Sequence, residues 1–297
     1  MLQKELLGGL LAIFSALLHA VRFPMIRKAT VTGSSLDAVT VTVAVDTSVF
    51  LSLAVLLNYP TFGITRISFF AFFICGFLGP FLGLLCLYKG ISRVGGSITA
   101  PLARGSLLIS VLIAILVLKE SVNILHLIGI LLLLIGVVFI SYEMGNETPI
   151  LSFESDSDFF YPIGAMISLG LFYPLAKIGY SEGTPVTVGL GIIFTVGFCS
   201  LLLFSFYSGQ NLLHSFRASE KKFYLAIGGV HSAAVGLYHL SISVSLVTIV
   251  TPLRSTSPVF VLPLSYFFLR ELEKINKWIF LGTVLTVTGG ILIGISI

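Results

Sequence analysis

Charge is scarce in this sequence. Lysine, arginine, aspartate and glutamate make up 10% of its 297 residues, where soluble domains carry roughly 25%. A water-soluble protein of this size would have too few polar groups to cover its surface, so much of its apolar surface must face lipid. Cysteine is nearly as sparse: Cys75, Cys86 and Cys199 each lie inside an apolar run without ligand spacing. That excludes a disulfide framework and a cysteine metal centre, and reads all three as buried small hydrophobes. A basic stripe is missing too. The formal charge is +4, but the bases fall in ones to threes between apolar runs, as in membrane loops, so nucleic acid is excluded as a partner. No nucleophile triad, zinc site or paired-carboxylate active site can be assembled, so no metal, cofactor or enzymatic activity is expected.

Apolar runs fill the rest, and hydrophobic residues make up 56% of the chain. A span needs about 20 apolar residues. Candidates run Leu6–Ile26, Leu36–Leu57, Ile67–Tyr88, Ser97–Leu118 and Ile124–Tyr142, then Phe159–Ile178, Val186–Phe206, Phe223–Leu240, Val247–Leu269 and Lys277–Ile295. The expectation is an all-α integral membrane protein of about ten transmembrane helices, a multi-pass protein of the cell membrane with the lipid bilayer as its surroundings.

Laid on itself with a shift of about 150 residues, the chain repeats. Pro24 meets Pro174, Arg27 meets Lys177, and Pro101-Leu102 meets Pro252-Leu253. Leu118-Lys119-Glu120 meets Leu269-Arg270-Glu271, and Gly129 and Gly136 meet Gly282 and Gly289. Residues 1–148 and 159–297 are therefore read as two five-helix repeats, joined by an acidic linker at 149–158. Because five spans is an odd number, the second copy enters the membrane opposite to the first, giving an inverted repeat. Secondary transporters use that arrangement, with the substrate at the repeat interface near mid-membrane.

The segments Tyr88–Ser141 and Tyr238–Gly294 resemble the two EamA-type repeats of the drug/metabolite transporter superfamily. Each runs from a Pro-Leu pair through a long apolar helix to an acidic turn and a glycine-bearing closing helix. The sequence departs at that turn, with Lys119 and Arg270 standing where the family usually has glycine before the glutamate. The resemblance implies a ten-helix carrier, often an exporter of amino acids or other metabolites, with cytoplasmic termini. The distribution of basic residues over the loops puts the termini outside instead.

Charges inside spans are expensive and mark functional sites by default. Arg104 and Arg254 each lie about seven residues inside a span, just after Pro101 or Pro252, roughly 10 Å deep at 1.5 Å per residue. The repeat brings them to nearly equivalent positions, facing a common interior, where they read as paired cationic hooks for a carboxylate or phosphate. Structural ion pairing or helix-end snorkelling is the alternative. Asp46 reads as a helix-locking partner for an arginine or as a proton carrier, and His231, Tyr88 and Tyr173 as residues lining the route. Arg22 reads as reaching the interface, and Tyr238 and His239 as anchors near a span end.

The function expected is secondary transport of a small polar metabolite, an amino acid or organic anion, by alternating access, with proton coupling open and a monomer or homodimer equally compatible. A membrane-embedded enzyme acting on lipid-linked substrates, or a non-transporting scaffold, is the competing class. The enzyme would need acids or histidines clustered at one interface.

Overall fold

The structure is a computed structural model and describes residues 2–30, 35–93, 99, 102–145, 156–209, 221–257, 259–260 and 277–295. In the first half, α1 (Leu2–Thr30) and α2 (Ser35–Asn58) are followed by α3 (Arg66–Gly76), which continues through a π-helical segment (Phe77–Gly83) into α4 (Leu84–Arg93). Then come α5 (Ser106–Leu116) and α6 (Ile124–Gly145). The second half holds α7 (Phe160–Ser181), α8 (Val186–Ser208), α9 (Lys221–Val244), α10 (Val247–Arg254) and α11 (Lys277–Ile295). Among the described residues there is no strand, and seven helices are long and apolar enough to cross a membrane, with shorter apolar helices over Leu102–Leu116 and Ile124–Ile140. The protein is thus an all-α integral membrane protein of about ten transmembrane helices. Of the acidic linker expected at 149–158, only the 3-10 turn starting at Asp156 is among the described residues.

Local chemistry sets several of these boundaries. Thr65 opens α3 with a capping box: its hydroxyl accepts from Ser68 N–H at 3.1 Å, and the Ser68 hydroxyl accepts from Thr65 N–H at 2.9 Å. Pro80 has no N–H to donate to the preceding turn, and the helix widens to π geometry around it. Gly209 ends α8 with φ 68°, a left-handed cap.

The packing makes the inverted repeat visible. Helix α1 lies on α9 as α7 lies on α3, while α2 meets α8 and α6 meets α11 across the pseudo-axis. The last pair shows it at atomic detail. A Cβ added to Gly136 would sit 2.5 Å from the Gly282 carbonyl, and one on Gly289 2.5 Å from the Gly129 carbonyl, so backbones touch where only glycine fits. Gly129 corresponds to Gly282 and Gly136 to Gly289, so exchanging the halves turns one contact into the other, as a two-fold axis between antiparallel helices requires. Gly76 against Val196 and Gly228 against Val45 form a second such pair of contacts.

Lipid gives helices no hydrophobic reason to associate, so small and hydroxylated residues hold them together. The two halves are joined by hydroxyls donating to backbone carbonyls: Ser15 to Ala234 (2.7 Å), Ser241 to Gly8 (2.6 Å), Ser110 to Gly170 (2.8 Å) and Thr47 to Phe194 (3.0 Å). The Cys75 thiol does the same to Phe172. Outward faces carry the large apolar side chains, Phe14, Phe70, Leu116, Phe206 and Phe280 among them. Cys75 is buried as expected, whereas Cys86 is half-buried and Cys199 is exposed, since a thiol is apolar enough for the outer face.

Lys119 has φ 56°, a left-handed conformation that costs a non-glycine residue roughly 1–2 kcal/mol. This is the turn where EamA-type repeats usually carry glycine. Lys119→Gly relieves that strain at the expense of a freer unfolded chain, and a gain of about 0.5–1 kcal/mol is expected, read as a higher melting temperature in detergent.

Candidate substrate site at the centre of the bundle

The fourth and ninth spans both break beside their arginines. In the second half α10 stops at Arg254, and Ser255 N–H turns back to the carbonyls of Thr251 (3.1 Å) and Pro252 (2.9 Å). In the first half Leu102–Arg104 is helical, Gly105 forms a turn with its N–H on the Leu102 carbonyl at 2.9 Å, and α5 begins at Ser106. Pro252, inside α10, removes a backbone donor at that place. Interrupted helices of this kind are tolerated in a membrane only where protein or a polar cavity surrounds them.

Arg254 is half-buried among aromatic and imidazole rings. Its guanidinium carbon lies 4.6 Å from the Tyr238 ring centroid and 5.5 Å from that of Tyr173, two rings that themselves meet edge to face at 4.9 Å. Nη2 donates a hydrogen bond to Nε2 of His19, on α1. Nε is buried and has no hydrogen-bond partner among the described residues. Arg104 is close enough to interact electrostatically with both Arg254 and Tyr173. Among the described residues neither arginine forms an ion pair with a carboxylate. Guanidinium groups inside spans are costly and mark functional sites by default.

The only carboxylate in this cluster among the described residues belongs to Asp46, near the middle of α2. It is fully buried, and accepts from His231 Nδ1 at 2.6 Å and from the Ser232 hydroxyl at 2.7 Å, both on α9. His231 keeps 13% of its side-chain surface exposed, and its ring meets that of His19 edge to face at 5.8 Å. Two hydrogen-bonded pairs, Asp46 with His231 and His19 with Arg254, thus meet where the two imidazoles touch. Arg22, one turn beyond His19, lies within electrostatic reach of both histidines.

A second polar assembly fixes α10 from outside the cluster. The carboxylate of Glu120, from the first half, accepts from Val247 N–H (2.8 Å), Thr248 N–H (2.9 Å) and the Thr248 hydroxyl (2.9 Å), capping the start of α10. Lys177 Nζ donates to the carbonyls of Ile242 (2.7 Å) and Ser245 (2.8 Å) at the end of α9. The break between α9 and α10 is thus satisfied at both ends by charged side chains.

The EamA-like transporter family model matches residues 6–142 and again residues 159–295. The chain belongs to the EamA-like transporter family. An uncharacterized protein of Methanocaldococcus jannaschii is 32% identical over 93 residues, which is 31% of this chain and 68% of that protein. A solved crystal structure superposes with a TM-score of 0.77 over 96% of both chains at 14% identity, a likeness in fold alone. As an EamA-like protein the chain is a membrane transporter of small molecules.

Within this EamA-like bundle, Arg104, Arg254, Tyr173, Asp46 and His231 come together from five different spans. The side chain of Tyr88 and all of Pro101 lie outside the described residues. Asp46 is held by histidine and serine, not locked to an arginine, because α2 packs its middle on α9. Tyr238 and His239 are not at a helix end: α9 continues to Val244, and both are buried, His239 bonded to the Tyr180 hydroxyl at 2.7 Å. His19, Glu120 and Lys177 carried no assigned role in the sequence. The repeated base–glutamate turn was the available signal for Glu120, and the Arg27–Lys177 match for Lys177; a lone histidine in α1 offered none.

Proposed function

We propose that the protein is a secondary carrier that moves a small organic anion or zwitterion, such as an amino acid, across the cell membrane by alternating access between its inverted halves. Export is the direction in which the family resemblance points. The observation that carries this reading is the pair of arginines that form no ion pair with a carboxylate among the described residues, set at two equivalent helix breaks. A guanidinium presents planar donors that match a carboxylate, and that of Arg254 is backed by the rings of Tyr238 and Tyr173. Arg104 and Arg254 take the anionic group in this reading, Tyr173 and Tyr88 line the route, and Asp46 with His231 balances the charge.

The test is a thermal-shift screen of purified protein against amino acids, phosphorylated sugars and lipophilic cations, followed by flux in proteoliposomes. Stabilisation by amino acids or other anions, and counterflow of the same compounds, is expected. Stabilisation by cations alone overturns the proposal.

A further inference from the structure

Given Arg254 as the anion's anchor, as proposed above, we infer that His19 is the carrier's proton site and that proton and anion bind together, so that the cargo crosses with its own proton.

The reasoning starts from donors and acceptors. A guanidinium has N–H donors and no acceptor, so Nε2 of His19, bonded to Arg254 Nη2, must be the accepting nitrogen. His19 is then neutral, with its proton on Nδ1. A proton arriving from water forms an N–H bond at Nε2, sets donor against donor and charge against charge, and breaks the contact with Nη2. That frees Nη2 beside Nε, which already lacks a partner, and these two atoms are the side-on pair a carboxylate takes up bidentately. Neutral His19 therefore occupies the anion's place, and protonated His19 vacates it.

The surroundings decide the order of events. His19 faces Arg254 from α10, Arg22 on its own helix, His231 from α9, and Arg104. His231 in turn faces Asp46 from α2, and Arg22 and Arg254. Among the described residues Arg104 and Arg254 outnumber the one carboxylate of this cluster, Asp46, with Tyr173, Tyr238 and His239 supplying rings without formal charge. A proton added to His19 alone would join a group that is already positive. Added with an anion, it is compensated. Linkage makes this reciprocal: the factor by which a proton strengthens anion binding equals the factor by which the anion strengthens protonation. Asp46 and His231 connect this site to the middle of α2, and His231 offers an adjacent imidazole through which the proton can reach His19.

The experiment titrates purified wild-type protein with lactate and with glutamate, as probe anions, in weakly buffered solution between pH 5.5 and 7.5, recording heat and proton uptake together. For at least one probe, uptake approaching one proton per anion is expected at the upper end of the range, with affinity rising by about tenfold per pH unit of acidification. His19→Gln, whose amide oxygen also accepts from Arg254 but does not titrate, is expected to bind the probe with no proton uptake and a flat pH profile. His19→Asn serves as the second variant if glutamine prevents folding, judged by size exclusion and melting. His239→Gln, whose imidazole bonds Tyr180, is expected to retain the uptake. Anion binding without proton uptake in the wild type, or uptake that persists in His19→Gln, overturns the inference and leaves the carrier reading standing. Failure of the wild type to bind either probe at any pH overturns the inference together with the anion-binding reading beneath it.

Discussion

Replacing Arg254 with alanine is expected to lower transport about 100-fold, with the protein still folded and membrane-inserted. Truncating one partner of a buried, hydrogen-bonded charge pair costs roughly 2–5 kcal/mol, which converts to about 30-fold to several thousand-fold in affinity. The substrate anion would lose its side-on fork, and Tyr238 and Tyr173, which present ring faces to the guanidinium, offer no cation in its place. Arg254→Lys is expected to recover little. An ammonium on a flexible stem is a point charge and lacks the planar pair of donors. Stability should change far less than transport, since the arginine makes no ion pair among the described residues and the start of its helix is fixed independently by Glu120. Arg104→Ala should behave similarly. Combining the two should add less than the sum of the single losses, because both groups serve one bound anion. Initial rates in proteoliposomes at matched protein density, alongside melting temperatures, measure all four variants. Wild-type flux in both alanine variants would remove the site.

Much of the fold was legible because the repeat constrains it twice. Gly129, Gly136, Gly282 and Gly289 each look like ordinary glycines in an apolar helix. Matched across the shift, they mark equivalent places on the two closing helices, and in the structure the backbones of α6 and α11 touch at those four residues. Arg104 and Arg254 were legible for a related reason, as charges at equivalent depths in runs where charge is otherwise missing. What stayed hidden depends on which helices become neighbours. His19 gains meaning only when α1 lies against α9 and α10, and nothing within one turn of it in sequence announces that neighbour. The end of α9 was misread because Ser241, Ser243 and Ser245 lower the local hydropathy. In the structure the hydroxyls of Ser241 and Ser243 donate to backbone carbonyls, so the helix continues through them without exposing a polar group to lipid. Asp46 was expected beside an arginine because charge balance alone suggested it; a neutral hydroxyl and an imidazole satisfied the carboxylate instead.

Glu120→Ala is expected to destabilise the protein by about 3 kcal/mol and to impair transport beyond what the lost stability explains. The carboxylate is 8% exposed and accepts three hydrogen bonds at the start of α10. Alanine leaves the N–H groups of Val247 and Thr248 without acceptors, and each buried, unsatisfied donor costs roughly 1–3 kcal/mol. The favourable field of a negative charge at a helix N-terminus is lost as well. Glu120→Gln keeps one acceptor oxygen but sets its NH2 against the N–H that the other oxygen served, and should cost roughly 1–3 kcal/mol. Lys177 feels the charge of Glu120 while it ties down the carbonyls of α9, so a cycle with Lys177→Met should show the two substitutions coupled. The link to transport is geometric. Arg254 closes the short helix that Glu120 opens, and a helix released at one end no longer holds the guanidinium over Tyr238 and against His19. Flux compared well below both melting temperatures separates this displacement from unfolding. A Glu120→Ala protein that melts and transports like the wild type would mean that α10 is held by its packing alone, and that its capping carboxylate contributes nothing to the site.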